Sequence, residues 1–133
     1  MARRVRSLRY VGAVILLVED DEDVRDMLAL TLEVNGFEVT TAEHGARALE
    51  CLARRRPCMM ILDLVMPGID GREVLARMRE QHYELPVVVI SALDAPPPEG
   101  IVATLRKPFE TQALLALAAR YCTCRAGLTA APP

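Results

Sequence analysis

The chain has no tryptophan, two phenylalanines and three tyrosines. That leaves too few aromatic faces to stack the bases of a single-stranded nucleic acid. It also lacks an excess of charge: 16 Lys+Arg stand against 18 Asp+Glu, for a net charge of -2. No global basic field exists to gather a nucleic acid or an acidic membrane. No apolar run is long enough to cross a bilayer. The run at 11–18 follows Arg3, Arg4, Arg6 and Arg9, as in a signal peptide, but it meets the acids of 19–23 and no small-residue cleavage site. No internal repeat is visible. Cysteines number four, at 51, 58, 122 and 124. A single residue separates Cys122 from Cys124, closer than paired zinc ligands usually stand. A chain of 133 residues buries roughly two-thirds of its unfolded surface and needs no staples. The expectation is therefore free thiols in a reducing cytoplasm, with a redox role for the Cys122/Cys124 pair as the second reading.

What remains is 52% hydrophobic and 26% charged, the composition of one ordinary globular domain. Short apolar runs alternate with segments of helical period. The runs at 13–18, 59–62 and 86–90 read as strands buried on both faces. Residues 37–41 alternate apolar and polar, as nearer an edge, and 101–105 is a weaker fifth strand. Helices are expected over 22–35, 45–55, 72–81 and 110–121, with Gly36 and Pro57 as stops. The methionines at 27, 59, 60 and 78 fall on expected core positions. His44 and His82 fall in expected loops as surface residues, and Arg54, Arg55 and Arg56 as a helix C-terminal cap. A basic arm (1–12) precedes the domain (13–121), and a loose tail (122–133) follows it. Strand–helix alternation predicts an α/β fold, a single doubly wound five-stranded parallel sheet. In such sheets the chemistry gathers beyond the carboxyl ends of the strands.

Those ends carry Glu19, Asp20 and Asp21 after the first strand, Asp63 after the third, Ser91 after the fourth and Lys107-Pro108 after the fifth. Three carboxylates in a small space repel unless a cation joins them. Oxygen ligands with room for water suit Mg2+. An ammonium and a hydroxyl add what a phosphoryl group needs.

The stretches LLVEDDEDVR (16–25), ILDLVMPGIDG (61–71), VVVISA (87–92) and RKPF (106–109) occur in the order found in the receiver domain of two-component response regulators, which the chain resembles over about 13–121. The resemblance implies a flavodoxin-like fold and a set of roles. Asp63 is expected to be the phosphoacceptor, attacking a phosphohistidine to form an aspartyl phosphate. Glu19, Asp20, Asp63 and the backbone carbonyl of Val65 are expected to hold Mg2+, with Mn2+ as a substitute. Lys107 is expected to pair with a phosphoryl oxygen and Ser91 to move onto another. Ala92 is small, as access to the phosphoryl group requires. The Lys107-Pro108 bond is expected to be cis.

Two departures stand out. Between Ser91 and Lys107 the chain is about one and a half helical turns shorter than the family pattern. Pro96, Pro97 and Pro98 occupy the place of the fourth helix, which is expected to be short or absent. Thr104 stands where the family usually places an aromatic that couples to the serine. The implied module is a non-enzymatic, cytoplasmic signalling protein, monomeric or weakly dimeric. It stands alone or is cut from a longer chain. Its partners would be a histidine kinase or phosphotransfer protein and a downstream target, with no direct nucleic acid and no membrane insertion. Apolar Val65 and Leu93, two positions beyond Asp63 and Ser91, predict slow self-dephosphorylation. The rivals are a degenerate receiver acting as a scaffold and a Mg2+-dependent aspartyl-phosphate phosphohydrolase. The second usually has a further Asp where Val65 stands.

Overall fold

A computed structural model describes residues 14–92 and 96–122. The first buried run is strand β1 (Val14–Val18), and β3 (Met59–Asp63) and β4 (Val87–Ser91) are likewise buried along their whole length. They are apolar at successive positions because helices cover both faces of the sheet. Each aliphatic side chain so buried contributes roughly 1.5–3 kcal/mol. Strand β2 (Glu38–Ala42) and strand β5 (Ala103–Arg106) are the edges, and their exposed positions are polar or charged. All five strands are parallel, in the order β2-β1-β3-β4-β5. The order reverses between β1 and β3, so the crevice of such a sheet lies where Glu19 and Asp63 end their strands.

The helices are α1 (Glu22–Val34), α2 (Gly45–Arg54), α3 (Gly71–Glu80) and α4 (Thr111–Tyr121). Side chains alternate across the strands, so one chain run feeds two cores. Leu16, Val18, Met60, Leu62 and Val89 pack with Leu52, Val74 and Met78 from α2 and α3. Ile15, Leu17, Ile61, Val88 and Ile90 pack with Leu28 and Leu32 from α1 and Leu114 and Ala118 from α4. Side-chain caps set three helix starts: the Asp21 and Asp70 carboxylates and His44 Nδ1 accept the backbone N–H of Val24, Glu73 and Arg47. Gly36, at φ 96°, ends α1 in a conformation that suits glycine.

The expected elements are present, with boundaries displaced by one or two residues. Among the described residues no helix lies between β4 and β5, as the prolines predict. On β5, Thr104 and Arg106 are exposed. Arg72, on α3, donates from Nη2 to the Pro96 carbonyl at 2.9 Å and ties the proline stretch to the neighbouring helix. The arm at 1–12 and residues 123–133 lie outside the described residues.

Three expectations need correction. Met27 is 47% exposed, not core; helical period alone placed it one step too far around α1, beside exposed Leu30 and Val34. His44 is exposed as expected, but it serves as the α2 cap rather than as a plain loop residue. Most of all, Cys58 and Cys122 form a disulfide instead of remaining free. Cys122 is therefore a buried end of α4 and not the start of a loose tail. Cys51 is the free cysteine among the described residues, and Cys124 lies outside them.

Candidate functional site

Each chemical group sits where a buried strand runs out. β1 ends at Val18, yet the Glu19 N–H still bonds to the Ala42 carbonyl of β2 at 3.0 Å. That last ladder bond fixes Glu19, which is 1% exposed. Its Oε2 accepts the Asp21 N–H at 3.1 Å, and its Oε1 accepts from Lys107 Nζ at 2.8 Å. Asp20 is exposed. Arg25, one turn into α1, donates from Nη1 to the Glu19 carbonyl at 3.0 Å and to the Asp20 carbonyl at 3.4 Å, pinning the acidic turn.

Asp63 is the last residue of β3 and is 3% exposed. Its Oδ1 accepts the Val65 N–H at 3.1 Å, while its Oδ2 pairs with Lys107 Nζ at 3.3 Å. Beyond it the chain turns through Pro67 and Gly68 and re-enters a helix at Gly71. A Cβ at Gly71 would stand 2.7 Å from the Asp63 carbonyl oxygen and from Leu64 Cα, so only glycine lets α3 start this close. Ser91 ends β4 next to Asp63 and is also buried. Its carbonyl accepts the Lys107 N–H at 2.8 Å, which carries the lysine one residue past β5 to the same rim. The Lys107-Pro108 peptide is cis.

Glu19, Asp20 and Asp63 can each point a carboxylate oxygen to one place, all within 4.8 Å of one another. Three carboxylates face one ammonium. Two negative charges thus remain to be balanced, two of the carboxylates being buried where water cannot offset them. An all-oxygen donor set with one side open to solvent fits a small hard dication that keeps several waters. Burial pushes the Lys107 ammonium down, but the Glu19 hydrogen bond and the Asp63 charge outweigh it and leave its pKa above the ordinary lysine value. Its ion pairs therefore add stability in full below the ordinary lysine range, which is lost only as pH climbs through the raised value. A buried carboxylate with a cation on one side and an ammonium on the other can receive a phosphoryl group, whose oxygens would replace it as partner to both.

The structure thus brings Glu19, Asp20, Asp63, Ser91 and Lys107 to one rim. Ala92, just beyond Ser91, is exposed, as is Val65. Thr104 lies apart, exposed on β5. Leu93 is outside the described residues. Sequence reasoning passed over the Arg25 clamp and the close approach at Gly71. Arg25 closes the quoted acidic stretch, and Gly71 closes the loop stretch; only the position of Arg25, about one turn beyond the acids, was an available signal.

The chain matches the model of the response regulator receiver domain over residues 15–119. It is 40% identical over 108 residues to the response regulator MprA of Mycobacterium leprae, covering 77% of this chain and 47% of that protein. The chain spans about half the length of the curated relatives it matches. The receiver domain of the Francisella response regulator 1452 superposes with a TM-score of 0.78 at 26% identity, covering 84% of this chain and 97% of that one. The response regulator TrrA of Thermotoga maritima, solved in complex with Mg2+-BeF, does so with a TM-score of 0.74 at 27% identity, covering 81% and 97%. Fold, rim chemistry and these likenesses converge: the chain belongs to the response regulator receiver domain family.

Proposed function

We propose that this receiver accepts a phosphoryl group on Asp63 from a phosphohistidine donor and changes its binding to a partner in response. The observation that supports this most is the buried Asp63 carboxylate, held between Lys107 and the acids Glu19 and Asp20. Asp63 Oδ attacks the phosphorus, the bond to the donor breaks, and the aspartyl phosphate remains on β3. Glu19, Asp20, Asp63 and the Val65 carbonyl would hold Mg2+, which supplies charge neutralisation of the transferring group; the TrrA complex with Mg2+-BeF supports that choice of ion. Lys107 then pairs with a phosphoryl oxygen and gives up part of its bond to Asp63. Ser91, on the next strand, closes from the side.

The partners in this reading are a histidine kinase or phosphotransfer protein and a separate target. An apolar stripe on α1 (Met27, Leu30 and Val34), with Asp26 and Glu33 beside it, suits an amphipathic basic helix of such a partner. The setting is the cytoplasm and the protein is a monomer or weak dimer. Among the described residues no helix is long and apolar enough to cross a membrane. Val65 offers no polar group to orient an attacking water, so the phosphorylated form decays slowly.

Intact mass after incubation with acetyl phosphate tests the reading. Gain of one phosphoryl group by the wild type with Mg2+, and none by Asp63→Ala or in chelator, is the expected result. A folded wild type that gains nothing from acetyl phosphate or from kinases would establish a scaffold instead. Rapid, continuous release of phosphate from small phosphomonoesters would establish a phosphohydrolase.

A further inference from the structure

At the rim opposite Asp63, Cys58 sits immediately before β3, its N–H bonded to the Val14 carbonyl at 2.8 Å. Cys122 ends α4, its N–H bonded to the Ala118 carbonyl at 2.9 Å. Their Cα atoms lie 5.2 Å apart and their sulfurs are bonded, across a sequence separation of 64. The covalent ring so closed contains Asp63, Ser91 and Lys107. It joins the strand that ends at Asp63 to the helix that starts just beyond Lys107.

Two features separate this bond from a permanent staple. First, the bond is not the helix's sole anchor. Leu114, Ala118 and Cys122 recur every four residues on the buried face of α4, and the first two anchor the helix in the core without help. Reduced Cys122, one turn beyond these two anchors, would be held only by the contacts of one small apolar side chain. Second, Cys58 is only partly buried, which makes it the more accessible half of the bond. Reduced and oxidised chains are thus both compatible with one fold.

We propose that the Cys58–Cys122 disulfide is a reversible clasp, opened in the folded protein by dithiols, that frees the C-terminal end of α4. A dithiol thiolate attacks Cys58 Sγ, and Cys122 Sγ leaves with the electron pair of the S–S bond and takes a proton. The second thiolate of the reductant then attacks its own sulfur in the mixed disulfide. Cys58 departs as the thiolate and is protonated, and the reductant ends as a disulfide. The protein gains two electrons and two protons. Supply of the reductant rests on the cytoplasmic setting proposed above, where disulfides are mostly transient and redox-sensing; the bond chemistry does not, and neither does the following test.

Native protein is treated with dithiothreitol without denaturant, trapped with iodoacetamide, mapped by peptide mass and followed by hydrogen exchange. The expected result is a Cys58–Cys122 crosslink before treatment and label on both afterwards, with unchanged far-ultraviolet circular dichroism. Amides 118–122 should exchange at least about tenfold faster once reduced, while those of β3 stay as they were. Oxidised glutathione should restore the crosslink. Cys58→Ser, at the more exposed position, should reproduce the reduced pattern; if it fails to fold, the wild-type reduction decides alone. The proposal is overturned if the bond yields only on unfolding, if α4 exchanges alike in both forms, or if untreated protein shows free Cys58 or a Cys122–Cys124 pairing.

Discussion

Two loops leave neighbouring strands at the same rim and are built in opposite ways. The loop after β3 is packed: Leu64 and Met66 are buried, Leu64 N–H bonds to the Ile90 carbonyl, and Gly71 N–H bonds back to Leu64. Residues 96–98, in the stretch after β4, are stiff but thinly attached. Pro96 and Pro97 are exposed, and among the described residues of that stretch the Arg72 hydrogen bond is the side-chain tie to α3. A site that transfers a charged group needs its carboxylate held in one place, which the first loop achieves by packing and backbone bonds. A stretch that carries none of the reacting groups needs no such core, and three prolines give it low conformational entropy without one.

The comparison breaks most completely at Asp63. Asp63→Ala should abolish phosphoryl uptake measured by intact mass, whereas Pro97→Ala should leave its rate within about twofold, as befits a residue touching none of the reacting groups. Stability should divide along the same line. Gly71→Ala forces a Cβ against backbone atoms and should cost about 3 kcal/mol in urea unfolding. Gly100→Ala, at φ 84° with nothing within 4 Å, pays only for the backbone conformation, about 1 kcal/mol. Mg2+ at one hundred times its Kd should stabilise the wild type by about 2.7 kcal/mol in the same assay. Glu19→Gln combined with Asp20→Asn should remove most of that gain. Arg72→Ala loses one exposed hydrogen bond and should cost about 0.5–1 kcal/mol, with faster amide exchange confined to Glu99 and Gly100 just beyond the prolines.

Most of the fold could be read from residues whose environment is uniform. Continuous apolar runs marked β1, β3 and β4 because a strand covered on both faces has no polar position to interrupt it. The three prolines likewise announced that no helix stands between β4 and β5 among the described residues, since they remove donors wherever they stand. The rim acids, Ser91 and Lys107 were legible for a related reason: a parallel sheet delivers every strand end to one side. What escaped reading depended on pairs brought together by the fold. Cys58 and Cys122 carry no local mark of partnership, and their bond follows only from α4 running back along the sheet to the start of β3. Met27 lay on the right period but on the wrong side of a helix whose buried stripe is narrow. Gly71 looked like a loop residue because its reason for being glycine is the Asp63 backbone, eight positions earlier.

The central claim is that Asp63, and not one of the exposed acids beside it, carries the phosphoryl group. Borohydride reduction of the phosphorylated protein converts an acyl phosphate to an alcohol at the carbon that bore it, and peptide mapping then finds the altered residue. The account predicts the alteration at Asp63, in wild-type protein treated with acetyl phosphate and Mg2+. An alteration at Asp20 or Asp21, with Asp63 unchanged, would contradict it.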